Sequence, residues 1–113
     1  MTSLATTATS IKLMRYWLLL LSAVTAPVFA DAPNPQRQAE LANMLKHDCG
    51  SCHGLPLKGG LGPSLMPEAI ADKNDALLFD AIQNGRAGTA MPPWKPFLTA
   101  DETHWLIQRL RQP

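Results

Sequence analysis

The pentapeptide Cys49-Gly50-Ser51-Cys52-His53 contains the only two cysteines of the 113-residue chain, and its reading decides the fold. Two thiols three positions apart can each form a thioether to a vinyl group on one edge of a porphyrin. The residue that follows then places its imidazole under the iron. In an exported protein this is the attachment signature of a c-type haem. Three other readings are weaker. A disulfide between Cys49 and Cys52 would close a loop too short to gain much chain entropy. A thioredoxin-like redox pair needs a strand-helix-strand setting that this Pro- and Gly-rich sequence lacks. Zinc takes four ligands, and adjacent Cys52 and His53 are awkwardly placed to share one tetrahedral ion with Cys49 and a distant His47 or His104.

Toward the N-terminus, Lys12 and Arg15 precede the apolar run Trp17-Leu18-Leu19-Leu20-Leu21-Ser22-Ala23-Val24, and Val28-Phe29-Ala30 supplies a signal-peptidase site. Residues 1–30 read as a cleavable secretory signal peptide, which predicts an exported protein consisting of residues 31–113. The fifteen residues 16–30 fall short of the roughly 20 that cross a hydrocarbon core, and they include Pro27. Translation from Met14 instead of Met1 would give a more compact leader with its charge at Arg15.

Composition limits the rest. The chain is 46% hydrophobic with ten Lys+Arg against nine Asp+Glu, which allows one small domain and leaves no basic field for nucleic acid. Cleavage after Ala30 leaves 83 residues with eight basic and nine acidic side chains, a net charge of −1. Ten Pro, seven Gly and few β-branched residues beyond position 30 predict an all-α domain of short helices joined by rigid turns. A core this small generally needs a staple, and a haem would supply one.

With His53 as the proximal ligand, the sixth ligand comes from Met44, Met66, Met91, His47 or His104. Met44 shares a helical stripe with Leu41 and Leu45, as a core methionine does. Met66 follows His53 by only thirteen residues, and the chain must first turn around the ring. His47 lies on the attachment side, and His104 sits beside Asp101 and Glu102 in the last helix, where solvent exposure is expected. Met91 remains. The stretch Gly85-Arg86-Ala87-Gly88-Thr89-Ala90 leads into it and Pro92-Pro93 follows, so a stiff loop can hold its thioether with little entropy left to lose.

Local signals place the helices. Asn34 caps a helix with Pro35 in its first turn, and Leu41, Met44 and Leu45 form its apolar stripe. Gly59, Gly60, Gly62 and Pro63 mark a turn-rich segment suited to close approach of a flat ligand. One helical turn is expected from Glu68 to Ala71. Asn74 or Asp72 caps a helix with Leu78, Ala81 and Ile82 on one face, stopped by Gly85. Thr99-Ala100-Asp101-Glu102 is a capping box for a last helix buried through Leu106, Ile107 and Leu110, with Arg109 and Arg111 at the negative end of its dipole. The two terminal helices are expected to pack on each other.

This order of helix, Cys49 to Gly54, glycine-rich loop through Gly62-Pro63-Ser64-Leu65, helix, Met91-Pro92 and terminal helix resembles the small class I cytochromes c. More narrowly, residues 48–54, 58–63 and 85–94 look like cytochrome c-55X, the NirC-type cytochrome associated with haem-cd nitrite reductase of denitrifying bacteria. The resemblance implies three to four short helices wrapped around one covalently bound haem c. It also implies that the proximal imidazole donates its outer proton to the carbonyl of Pro63, which fixes the ring. Trp94 either covers the ligand side of the haem or packs the loop, and Arg86 meets either a propionate or solvent. The class I pattern has an aromatic in the first helix where this chain offers Leu41 or Leu45.

Iron ligated by both His53 and Met91 has no vacant site for substrate, so one-electron transfer is the expected activity and no catalytic group is assigned. The resemblance implies redox partners: nitrite reductase downstream, and a quinol-oxidising complex or another cytochrome upstream, with the membrane met only through partners. An accessory role in maturing haem d, as electron acceptor or binding partner, is the alternative. A gas-binding sensor is a third reading and requires Met91 to leave the iron easily.

Overall fold

The computed structural model describes residues 32–112, so the expected signal peptide and its cleavage site lie outside the described residues. Four helical rods and no strands are found among the described residues. The first rod begins as α1 (Pro35–Met44), widens into a π-helical turn (Leu45–Cys49) and closes as α2 (Gly50–His53). Asn34 caps it, its Oδ1 accepting from the Arg37 amide at 2.9 Å, and Pro35 occupies the first turn, where its missing N–H costs nothing. The short α3 (Pro67–Ile70) starts one residue earlier than the sequence suggests because Pro67 is well suited to a first helical position.

Asn74 rather than Asp72 caps α4 (Asp75–Asn84), accepting from the Leu77 amide at 2.8 Å. Gly85, with φ of 69°, ends it. The capping box forms at the start of α5 (Ala100–Leu110): Thr99 N donates to Glu102 Oε2 at 2.9 Å, and Glu102 N donates to Thr99 Oγ1 at 3.2 Å.

The terminal helices do meet. Leu41 of α1, fully buried, joins Leu98 and Leu106 in one cluster, and Met44, Leu45, Ile82, Trp94 and Trp105 pack around it half-buried. Leu41 thus lies buried in the cluster at the helix crossing, and Leu45 packs against its edge. Arg37 locks the crossing from outside, its Nε donating to Glu102 Oε1 at 2.6 Å across 65 residues of sequence. Leu106, Ile107 and Leu110 are buried as the α5 stripe predicts.

Two expectations are corrected. On α4, Leu78, Ala81 and Ile82 are only half-buried, and the buried residue is Gln83, whose polar atoms find partners from distant parts of the chain. Arg111 does not merely face the α5 dipole. It donates to Asp75 Oδ1 at 2.6 Å and to the carbonyls of Lys73 and Ile70, tying the end of α5 to the α3–α4 connection.

Candidate haem site

The first rod carries Cys49, Cys52 and His53 in a single helical run, with Cys49 closing the π turn and Cys52 and His53 within α2. A π turn holds one extra residue and is frequent at functional sites. Along this rod Leu41 is buried in the core while both cysteines are half-exposed.

The two cysteines are not joined by a disulfide. Burial, aided by the charge of Asp48, pushes the Cys49 thiol up to about 11. A redox-active pair needs a lowered thiol pKa, so this environment speaks against the thioredoxin-like reading. Among the described residues no three His, Cys, Asp or Glu side chains converge to hold a metal ion, which leaves the zinc reading without a ligand set.

His53 is buried, and its Nδ1 lies 2.7 Å from the carbonyl oxygen of Pro63. A carbonyl only accepts, so Nδ1 is the donor, and in the neutral ring this leaves the lone pair on Nε2. The loop after the motif enforces this geometry. Gly59 N donates to His53 O at 2.8 Å and Gly62 N to Cys52 O at 2.8 Å, folding residues 59–63 back over the end of α2. Gly62 lies so close to the imidazole that a β-carbon there would stand 2.8 Å from Cε1.

Met91 is carried by a separate loop. Its carbonyl accepts from Arg86 N at 3.1 Å, its amide donates to Thr89 Oγ1 at 3.3 Å, and its side chain is half-buried. Gly85 is required at the loop's start because its positive φ brings its α-carbon against the Met91 carbonyl. Trp94 packs against the Leu41 cluster and meets Phe97 edge-on at 6.0 Å. Arg86 and His47 are exposed, and His104, also exposed, stacks on Phe79 at 4.7 Å. Met66 stands at the N-cap position of α3, half-buried and without a side-chain capping bond.

The residues fit a covalently bound haem: two thiols on one helical rod, an imidazole with its inner nitrogen free and its outer one fixed, and a neighbouring backbone stripped of side chain at Gly62. Known proteins agree. The family described as cytochrome C oxidase, cbb3-type, subunit III matches residues 36–108. Cytochrome c55X of Pseudomonas aeruginosa is 46% identical over 97 residues, covering 83% of this chain and 82% of the relative. Cytochrome c55X of Paracoccus denitrificans is 42% identical over 81% of this chain and 89% of the relative. The chain belongs to the cytochrome c55X family.

Solved structures agree on the fold of this cytochrome. A c-type cytochrome NirC superposes with a TM-score of 0.68 at 51% identity, covering 70% of this chain and 93% of that one. It identifies the four rods as the small all-α class I cytochrome c fold. The dihydro-heme d1 dehydrogenase NirN in complex with DHE superposes at a TM-score of 0.57 and 32% identity, over 63% of this chain and 15% of that one. As a member of its family the cytochrome carries covalently bound haem c with its iron, Cys49 and Cys52 stand at the attachment spacing, and it transfers electrons rather than catalysing a reaction.

Proposed function

We propose that this cytochrome is exported to the periplasm, binds one haem through Cys49 and Cys52, ligates its iron with His53 and Met91, and delivers single electrons to a haem-cd nitrite reductase in denitrification. The observation that carries the ligand assignment is the His53 Nδ1 to Pro63 O bond of 2.7 Å, which fixes the tautomer of the neutral ring and leaves Nε2 as its ligating nitrogen. When bound, the haem iron exchanges one electron between its ferrous and ferric states. The chain's own residues prepare it for that. Cys49 and Cys52 would fix the ring through thioethers, Pro63 holds a proton on the outer imidazole nitrogen and would raise ligand basicity, and the Met91 thioether would keep water and substrate from the iron.

The variant Met91→Ala tests the ligand set. The thioether-iron absorption at the red end of the spectrum is expected to vanish and the reduction potential to fall. Survival of that absorption would show that another residue holds the sixth position. Export is supported by the run of residues 12–30 and is tested by the mass of the mature protein, expected to begin at Asp31.

A second reading has its own support. The similarity to part of NirN, named a dihydro-heme d1 dehydrogenase, favours electron acceptance during haem d maturation, since a dehydrogenase requires an acceptor. Deleting this chain separates the two. Loss of a donor leaves the reductase with its full haem d, whereas loss of a maturation factor leaves it without.

A further inference from the structure

We propose that Gln83 is a positioning residue for Met91: its carboxamide ties the chain returning from the Met91 loop to α4 and α5, and thereby holds the thioether at the iron. The inference rests on Met91 being the axial ligand, as proposed above.

Gln83 lies in the last turn of α4 and is 6% exposed. Burying a carboxamide is unfavourable unless its protons are bonded, so an apolar side chain of similar size would fill the space at lower cost. Both protons of Nε2 are used. One goes to the Leu98 carbonyl at 3.2 Å and the other to Thr103 Oγ1 at 2.6 Å. The Thr103 hydroxyl donates its own proton to Thr99 O at 2.9 Å, so toward Gln83 it only accepts and the direction of the chain is fixed.

The main chain of the same turn grips the same segment. Lys95 N donates to Gln83 O at 3.2 Å, and Trp94 N donates to Ile82 O at 2.9 Å. The return limb 94–98 is therefore attached to α4 by two backbone bonds and by one side chain. That side chain alone also bridges to α5. Methionine is unbranched and has three rotatable bonds, so the place its sulfur can reach is set mainly by where the backbone is anchored.

The start of α5 keeps its capping box without Gln83. Loss of the carboxamide removes one of the limb's three bonds to α4 and the bridge from it to α5, leaving the backbone bonds at Trp94 and Lys95, so the ligand loop is expected to loosen before the helices come apart. Replacing a residue that only filled space would instead act on the stability of the whole domain, in either direction, and leave ligation unchanged while it stays folded.

The experiment uses the holoprotein and four variants: Gln83→Leu, Thr103→Val, Met91→Ala and, as a measure of general core weakening, Ile70→Val. Each is titrated with imidazole in the ferric state, its red-end thioether absorption is followed, and its unfolding midpoint is measured. Gln83→Leu is expected to bind imidazole about tenfold more tightly than the parent, the equivalent of one net hydrogen bond, at temperatures where its helix content is intact. Thr103→Val, with the same shape but no acceptor, moves in the same direction, so the pair stands even if one variant folds poorly. Imidazole binding unchanged in Gln83→Leu and Thr103→Val, or raised no more than in Ile70→Val at matched midpoint, overturns the proposal while Met91→Ala still shows an opened sixth position. If Met91→Ala itself changes neither absorption nor imidazole binding, the ligand assignment fails and this inference falls with it.

Discussion

Gly62 lies against the ring of His53: a methyl group on its α-carbon would stand 2.8 Å from Cε1 and 2.9 Å from Nδ1. Both partners are tethered: Nδ1 of the ring is bonded to Pro63 O, and Gly62 N is bonded to Cys52 O. Gly62→Ala must therefore displace either the imidazole or the loop. It is expected to destabilise the holoprotein by about 1–3 kcal/mol, the usual cost of overpacking a tight site, as measured by urea unfolding. A variant as stable as the parent would show that the imidazole has room to move.

The buried hydrophobic residues among those described are Leu41, Ile70, Leu98, Leu106, Ile107 and Leu110, while Leu45, Ile82, Trp94 and Trp105 are only half-covered. So small a core depends on its attached group. Replacing Cys49 and Cys52 together by Ala should yield a chain without covalent haem and with little fixed tertiary structure. Mass spectrometry and near-ultraviolet circular dichroism check the two halves of that expectation, and a well-folded apoprotein would refute the second.

Arg111 holds the far end of the domain through bonds of fixed direction. Its guanidinium reaches Asp75 Oδ1, Lys73 O and Ile70 O at once. A lysine keeps the charge but cannot meet three acceptors from a planar fork. Arg111→Lys is expected to lower stability by about 1–2 kcal/mol, the worth of one or two net hydrogen bonds, with no effect on reduction potential. Equal unfolding midpoints for the two proteins would reduce the clamp to a simple ion pair.

Local signals proved readable because their causes are local. The Asn34 and Asn74 caps, the Thr99–Glu102 capping box and the stop at Gly85 each depend on residues within a few positions of one another. The haem motif is equally local. Three features escaped such reading. The π turn at Leu45–Cys49 adds one residue to a turn, which an apolar stripe ending at Leu45 cannot register. Gln83 reads as a polar surface position, and its burial depends on Leu98 and Thr103 beyond the next loop. Arg111 reads as a favourable charge at a helix end, yet its partners lie some 36 to 41 residues upstream. For Gln83 and Arg111 the deciding contact is tertiary, and side-chain type alone does not encode it.

Glu102 links the two terminal helices and should make their packing sensitive to acid. The Arg37 guanidinium, followed by the Thr99 amide, holds its carboxyl below the ordinary value of 4.5. A carboxylate depressed in the folded state stabilises the fold fully above its unfolded pKa, and that contribution is lost as pH falls through the folded value. Wild type should therefore lose stability as pH falls below the ordinary glutamate value, and Glu102→Gln should be less stable than wild type at pH 7. The difference between them should close as Glu102 of the wild type becomes protonated. Asp72 is also held low, by Lys73, but that pair is exposed, so Asp72→Asn should leave the curve nearly unchanged. Urea unfolding of the three proteins from about pH 7 to about pH 2 checks this. Parallel curves for wild type and Glu102→Gln would mean that the Arg37 contact contributes nothing to the helix crossing.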